Sequence, residues 1–139
     1  MSNRTGLLRT SFVPTITATG TAGTPAYTTN AGSFIQHGKM VFFKLTIVLS
    51  GWTGTPTTRT QIVLPTGCPL PIADSIPTAV HVISESADVQ ASSVQVVARL
   101  GSASRSIDLY EISDNSTLVD HAPDTGATYT LNGWYFTDQ

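Results

Sequence analysis

The sequence predicts an all-β domain, an antiparallel β-sandwich of jelly-roll type, and three observations carry that expectation. Apolar residues recur at every second position through Val41, Phe43, Leu45, Ile47 and Leu49. That period lets one face of a pleated strand be buried while Lys44, Thr46 and Ser50 point elsewhere. Glycine, proline and asparagine clusters interrupt the chain at short intervals, which is the punctuation of many short strands joined by turns. No stretch sustains the 3.6-residue period of an amphipathic helix.

The elements follow in order. Residues 1–10 have no periodicity and contain Arg4, Gly6 and Arg9, so they read as a flexible lead-in, and the domain proper is 11–139. Phe12, Pro14, Ile16 and Ala18 alternate over 12–19, and the early proline suits a first or edge strand. Short strands are expected at 27–30 and 33–36, parted by Asn30-Ala31-Gly32, before Gly38-Lys39 turns into a long strand over 40–50. A Gly, Thr and Pro loop beginning at Trp52 precedes a short strand at 61–64. Residues 65–77 hold four prolines, which lack the N–H a ladder needs, so this stretch must cross the surface or an end of the fold. Strands return at 78–84, 93–100 and 105–112, the last two forming a hairpin about Gly101-Ser102-Ala103-Ser104. Val94, Val96, Ala98 and Leu100 share one side of the first of these. Turn clusters at Asp114-Asn115-Ser116 and Pro123-Asp124-Thr125-Gly126 lead to a closing strand at 129–136. The long strand is bulky on both sides, with Met40, Phe42 and Val48 opposite Val41, Phe43 and Ile47. It therefore needs two covers: a second sheet and, on the other side, a neighbouring subunit.

Bulk composition narrows the function. A chain of 139 residues fits one domain around one core. Only 12% of its residues are charged, about half the usual share, so its surface is rich in hydroxyls. A net charge of -2 with seven scattered basic residues leaves no footprint for nucleic acid. No apolar run reaches the ~20 residues of a membrane-spanning helix, and the opening residues do not form a signal peptide. Membrane insertion is not expected, and synthesis in the cytoplasm is. Cys68 is the single cysteine, which rules out an intrachain disulfide and a cysteine-based zinc site. Between Gly67 and Pro69 it reads as a small buried apolar residue.

Neither a metal nor a cofactor is expected, nor is catalysis. Gly101-Ser102-Ala103-Ser104-Arg105 lacks the glycine on both sides of serine that a nucleophile elbow requires. Gly20 and Gly23 lack the following lysine of a phosphate loop, and the nine acids form no suggestive carboxylate pair. His37 and His81 fall in or beside strand patterns, where a half-buried structural role is the commoner one.

The order of certain motifs resembles the distal domains of bacteriophage tail fibres and tailspikes. Phe12-Val13-Pro14, Tyr27, Gly32-Ser33-Phe34, Gly38 and the strand from Met40 to Leu49 are followed by Leu64-Pro65 and a terminal Asn132-Gly133-Trp134. Phe12 and Phe34 stand where Trp and Tyr are more usual in that family. The resemblance implies a β-sandwich at the tip of a homotrimeric fibre on the virion, made in the host cytoplasm, that binds a capsular or lipopolysaccharide glycan without cleaving it. A structural role, registering three chains at the fibre end without a ligand, is the alternative.

A glycan site needs aromatic rings to stack on sugar faces, beside polar groups that hydrogen-bond hydroxyls. Trp52, after Gly51 and among polar residues, is the first candidate, with capping of the fold's end as its competing role. Asp108 and Tyr110 fall on one face of their strand, and Asp120-His121 form a polar pair in the next loop, with solvated turns as the competing account. Trp134 alternates with Phe136 and is read as core or subunit packing.

Overall fold

Backbone pairing, rather than two separate sheets, organises this protein. The computed structural model describes residues 8–20, 23–54, 56, 58–89, 93–113 and 118–139. Among the described residues ten strands run β1 (Arg9–Phe12), β2 (Thr15–Ala18), β3 (Thr24–His37), β4 (Met40–Thr53), β5 (Thr60–Val63), β6 (Thr78–Glu85), β7 (Ser93–Leu100), β8 (Ser106–Ser113), β9 (Val119–Asp120) and β10 (Thr128–Phe136). Every pairing is antiparallel, in the order β1-β3-β4-β10-β6-β7-β8-β5-β2, with β9 added to β8. The sequence predicts two packed sheets; in the structure β6 pairs with β10 on one side and β7 on the other, so a single antiparallel sheet curls into a half-barrel. Its two halves are called here the front (β1, β3, β4, β10, β6) and the back (β7, β8, β9, β5, β2).

Alternation along β4 sets the core. Val41, Phe43, Leu45, Ile47 and Leu49 are all buried, and they meet Leu131, Tyr129 and Tyr135 of β10 and Ile107, Leu109 and Leu100 of the back. Val96, Ala98 and Leu100 of β7 are likewise buried; the side chain of Val94 and the turn at 114–116 lie outside the described residues. The β3–β4 hairpin turns at Gly38-Lys39 as the sequence predicts. Gly38 has φ +60° there, a left-handed conformation natural to glycine in a two-residue turn.

Four expectations change. The strand foreseen over 12–19 is two strands on opposite edges, β1 on β3 and β2 on β5, because the chain crosses from front to back at Val13-Pro14, where proline can donate nothing to a ladder. Arg9 and Thr10, read as lead-in, pair with Ile35 and Phe34; residues 1–7 lie outside the described residues. The two short strands at 27–30 and 33–36 are one, β3, continuous through Gly32 because β1 and β4 flank it. Trp52 is placed on β4, opposite Pro25 of β3, and packs partly buried against the core, not at the mouth of a loop.

The proline-rich crossing at 65–77 runs over the end of β10, held by hydrogen bonds that strands cannot supply. Tyr135 Oη donates to Pro69 O at 2.7 Å, Thr137 Oγ1 to Leu70 O at 2.6 Å and Arg105 Nε to Cys68 O at 2.8 Å. Cys68 is buried beneath it, and burial pushes its thiol up from 9.0 to about 11, against the opposing charge of Arg105. Burial likewise raises the phenols of Tyr135 and Tyr129 above 10.0. The unfolded chain gives up these three protons at lower pH than the fold does, so stability falls as pH climbs through the unfolded values, about 9 to 10. The melting temperature is expected to begin falling near pH 9 and to be several degrees lower by pH 11. A melting temperature unchanged to pH 11 would contradict the burial of these groups. At pH 8 a thiol reagent should leave native Cys68 untouched and label it fully in urea.

Candidate functional site

Three groupings of chemically able side chains stand out, two on the back and one on the front. On the outer surface of the back, Gln61, Asp108 and Arg99 lie in register across β5, β8 and β7, and Tyr110 follows Asp108 on the same face of β8. Gln61 Nε2 donates to Asp108 Oδ1 at 2.8 Å, and Arg59 Nη1 approaches Asp108 Oδ2 at 3.4 Å. Arg59 Nε bonds Asp120 Oδ1 at 2.8 Å, a contact that raises the Arg59 pKa further. Arg99 Nη2 donates to Tyr110 Oη at 2.9 Å. Both guanidinium carbons sit over the Tyr110 ring, at 4.8 and 5.1 Å from its centroid, within cation–π range. The ring is only 6% exposed. Charges are matched and the aromatic face is covered, so the cluster is satisfied from within, although the Asp120 side chain stays 47% exposed.

Directly behind it, strand alternation turns Glu111 inward. His121, one residue past β9, also points in. His121 Nδ1 lies 2.8 Å from Glu111 Oε2, and Nε2 lies 2.7 Å from Tyr129 Oη. Its backbone carbonyl accepts from Thr60 N at 2.7 Å and from Thr60 Oγ1 at 2.6 Å. Burial, helped by the nearby charge of Asp124, pushes the Tyr129 phenol up; burial also raises the Asp124 carboxyl, with His121 opposing. His121 is 0% exposed and Glu111 and Tyr129 are buried with it. An acid, an imidazole and a hydroxyl in a row have the order of a proton relay, yet these are sealed in the core. Both imidazole nitrogens are engaged, leaving no lone pair for a metal. Among the described residues no three His, Cys, Asp or Glu side chains converge as a metal site, and no helix is long and apolar enough to cross a membrane.

The front presents the opposite situation. Arg9, Ile35, Phe42 and Trp134 stand in register across β1, β3, β4 and β10, and the next outward row is Ser11, Ser33, Lys44, Asn132 and His81. Phe42 is 45% exposed and Trp134 48%. Trp134 also packs edge-on against Phe136, itself 47% exposed, with centroids 5.3 Å apart. A trough of about 420 Å3 runs between Phe42 and Trp134 and is lined also by Arg9, Ser33, Lys44 and Asn132. A second hollow of about 370 Å3 continues it, sharing Arg9, Ser33 and Lys44 and adding Ser11, Thr46 and Thr130. Exposed rings beside amide, hydroxyl and cationic groups give this face both stacking surface and hydrogen-bonding groups open to solvent.

Of the candidates read from sequence, Asp108, Tyr110 and Asp120 are brought together, His121 is separated from Asp120 by the thickness of the sheet, and Trp52 lies apart on the front. Strand alternation explains the split: adjacent residues of an extended chain face opposite ways. Phe42, Lys44, Asn132 and Trp134 were not singled out as a site. The available signal was parity, since 42, 44, 132 and 134 are all even-numbered and opposite the buried set, but the β4–β10 register that joins them is not written in either strand.

The fold and its surfaces define an all-β, antiparallel domain with one closed polar cluster and one open aromatic trough. No protein-family model and no curated protein sequence matches the chain. Among solved structures, the fold is similar to that of the Dettilon tailspike protein, with a TM-score of 0.76 at 16% identity. The match covers 93% of this chain and 23% of that one, so this domain corresponds to under a quarter of the tailspike.

Proposed function

We propose that the chain is a non-catalytic recognition domain of a bacteriophage tail fibre or tailspike, located on the virion tail, where it holds a bacterial surface glycan. The observation that carries this reading is the open trough between Phe42 and Trp134. Half-exposed rings offer flat apolar surface to the C–H faces of a sugar, while Asn132, Ser33 and Lys44 are spaced to bond its hydroxyls. The tailspike-like fold supports the setting. The sealing of Glu111, His121 and Tyr129 in the core supports recognition without cleavage. Among the residues first considered, Asp108, Tyr110 and Asp120 fit a ligand less well than the trough, because the Tyr110 ring is covered and both carboxylates are already paired with Arg59.

The same reading takes the domain as a homotrimer, which would multiply a weak sugar affinity through effective concentration. A specific observation also favours the structural alternative. Phe136 and Ile76 are exposed apolar residues at one end of the front, bordering a further hollow that Trp134 shares. Apolar surface of this kind is the material of a subunit seam.

One substitution separates the two. Trp134→Ala is expected to weaken binding to the cognate host glycan at least tenfold, the effect of removing a central aromatic contact, while the mass in solution stays that of the trimer. Asp120→Ala, on the back, should change neither. Loss of the trimer in Trp134→Ala would assign the face to assembly instead, and unchanged glycan binding would remove the trough from recognition.

A further inference from the structure

We infer that the trough is built for an acidic oligosaccharide: one sugar ring lies against Phe42 and Trp134, and the carboxylate of a uronic- or sialic-acid-type residue sits between Arg9 and Lys44. This rests on the glycan reading above and adds the class of sugar. Arg9 opposes Ile35, and Lys44 opposes Ser33; Ile35 and Ser33 are two apart on β3, so both cations rise from one face. They are the charged residues common to both hollows, and neither hollow is lined by Asp or Glu. The ion pairs among the described residues involve Arg59 and His121 instead. In a protein of net charge -2, the front thus holds a local positive site with no acid against it.

The chemistry is specific to a carboxylate. A guanidinium can take one by two parallel hydrogen bonds, and an ammonium adds a point charge from the other side. On one flank of the two cations are rings; on the other are the hydroxyls of Ser11, Thr46 and Thr130. Each hollow falls near the lower end of the ~300–1,000 Å3 span of small-ligand clefts. Two connected hollows with cations at their junction suit two or more linked sugars better than a single ring.

The test uses the full chain and an array of acidic oligosaccharides from bacterial polysaccharides, each paired with its carboxyl-reduced form, with binding read by titration calorimetry. An acidic member is expected to bind about tenfold or more tighter than its reduced partner, through two charge-assisted contacts. That advantage should fall in 1 M salt, where the Debye length is about 3 Å. Arg9→Gln/Lys44→Gln should abolish the difference while Trp134-dependent binding of the reduced form remains. The inference is overturned if no pair discriminates, or if discrimination survives the double substitution. Reduced forms that bind by way of Trp134, with no preference for acid, would sink the acidic-sugar inference and leave the glycan reading intact. If neither form binds, both fail. Melting curves of each variant, expected to match the parent within a few degrees because both cations are on the surface, guard against misfolding.

Discussion

Replacing His121 by leucine is expected to remove about 3–5 kcal/mol of folding free energy, the loss typical of breaking a buried, hydrogen-bonded ionisable pair from one side. Leucine approximates the imidazole's volume, so the cost is not chiefly a cavity. It comes from Glu111 Oε2 and Tyr129 Oη, which lose partners at 2.8 and 2.7 Å in a region closed to water. Domains of this size hold about 5–15 kcal/mol in total, so this variant will sit near the edge of folding. Tyr129→Phe provides the graded control. It deletes one hydroxyl and leaves one ring nitrogen unbonded, for about 1–3 kcal/mol. Glu111→Gln, which keeps the shape and an acceptor oxygen, should cost less than His121→Leu. Urea denaturation gives the order directly. A cost under 1 kcal/mol for His121→Leu would mean the network is not holding β8, β9 and β10 together.

The placement of this network shows what was legible in the sequence and what was not. Alternation alone put Val41 to Leu49 inside and set Asp108 and Tyr110 on one face of their strand. It equally puts Glu111 on the other face with Leu109, but an acid in a core position carries no local mark of its partner. That partner, His121, is ten residues further along the chain, just past β9, and it faces in where its neighbour Asp120 faces out. The sequence reads Asp120-His121 as a polar pair in a loop after Val119, and the two-residue pairing of β9 with β8 is too short to leave a period. Trp52 failed as a loop residue for a related reason. Trp52 and Thr53 suit a strand, but Gly51 and Gly54 on either side read as turn punctuation, and only the presence of Thr24, Pro25 and Ala26 opposite extends the ladder.

Register decides the candidate site as well. The sequence showed that β4 is bulky on both sides and assigned Trp134 to packing. Only the pairing of Phe42 with Trp134 and of Lys44 with Asn132 converts these into one surface. Contacts between strands distant in sequence are set by the whole sheet, since a shift of one residue would send every one of these side chains inward. The closed cluster on the back and the open trough on the front thus differ less in residue types than in whether neighbours satisfy them.

Gly32→Ala is expected to cost about 1–3 kcal/mol, the range for overpacking a core, and its sign should reverse when Phe12 is also replaced. Gly32 faces Phe12 across the β1–β3 pair, and a Cβ on it would lie 2.5 Å from two carbons of the Phe12 ring. The ring has no free direction to retreat, since it is buried and packs against Phe34 at 6.3 Å. In a Phe12→Ala background, already weakened by roughly 3 kcal/mol, that collision is gone. Gly32→Ala should then stabilise by about 0.5 kcal/mol, because alanine has less backbone freedom to lose on folding. A penalty of equal size in both backgrounds would show that Gly32 is required for some reason other than the ring. The consequence reaches the trough: Phe12 anchors β1, and β1 carries Arg9. In the single variant, displacement of the ring should loosen this edge strand, so binding of an acidic oligosaccharide should weaken although both cations and both rings of the trough are kept and the new methyl of residue 32, which borders the second hollow, is aimed at Phe12.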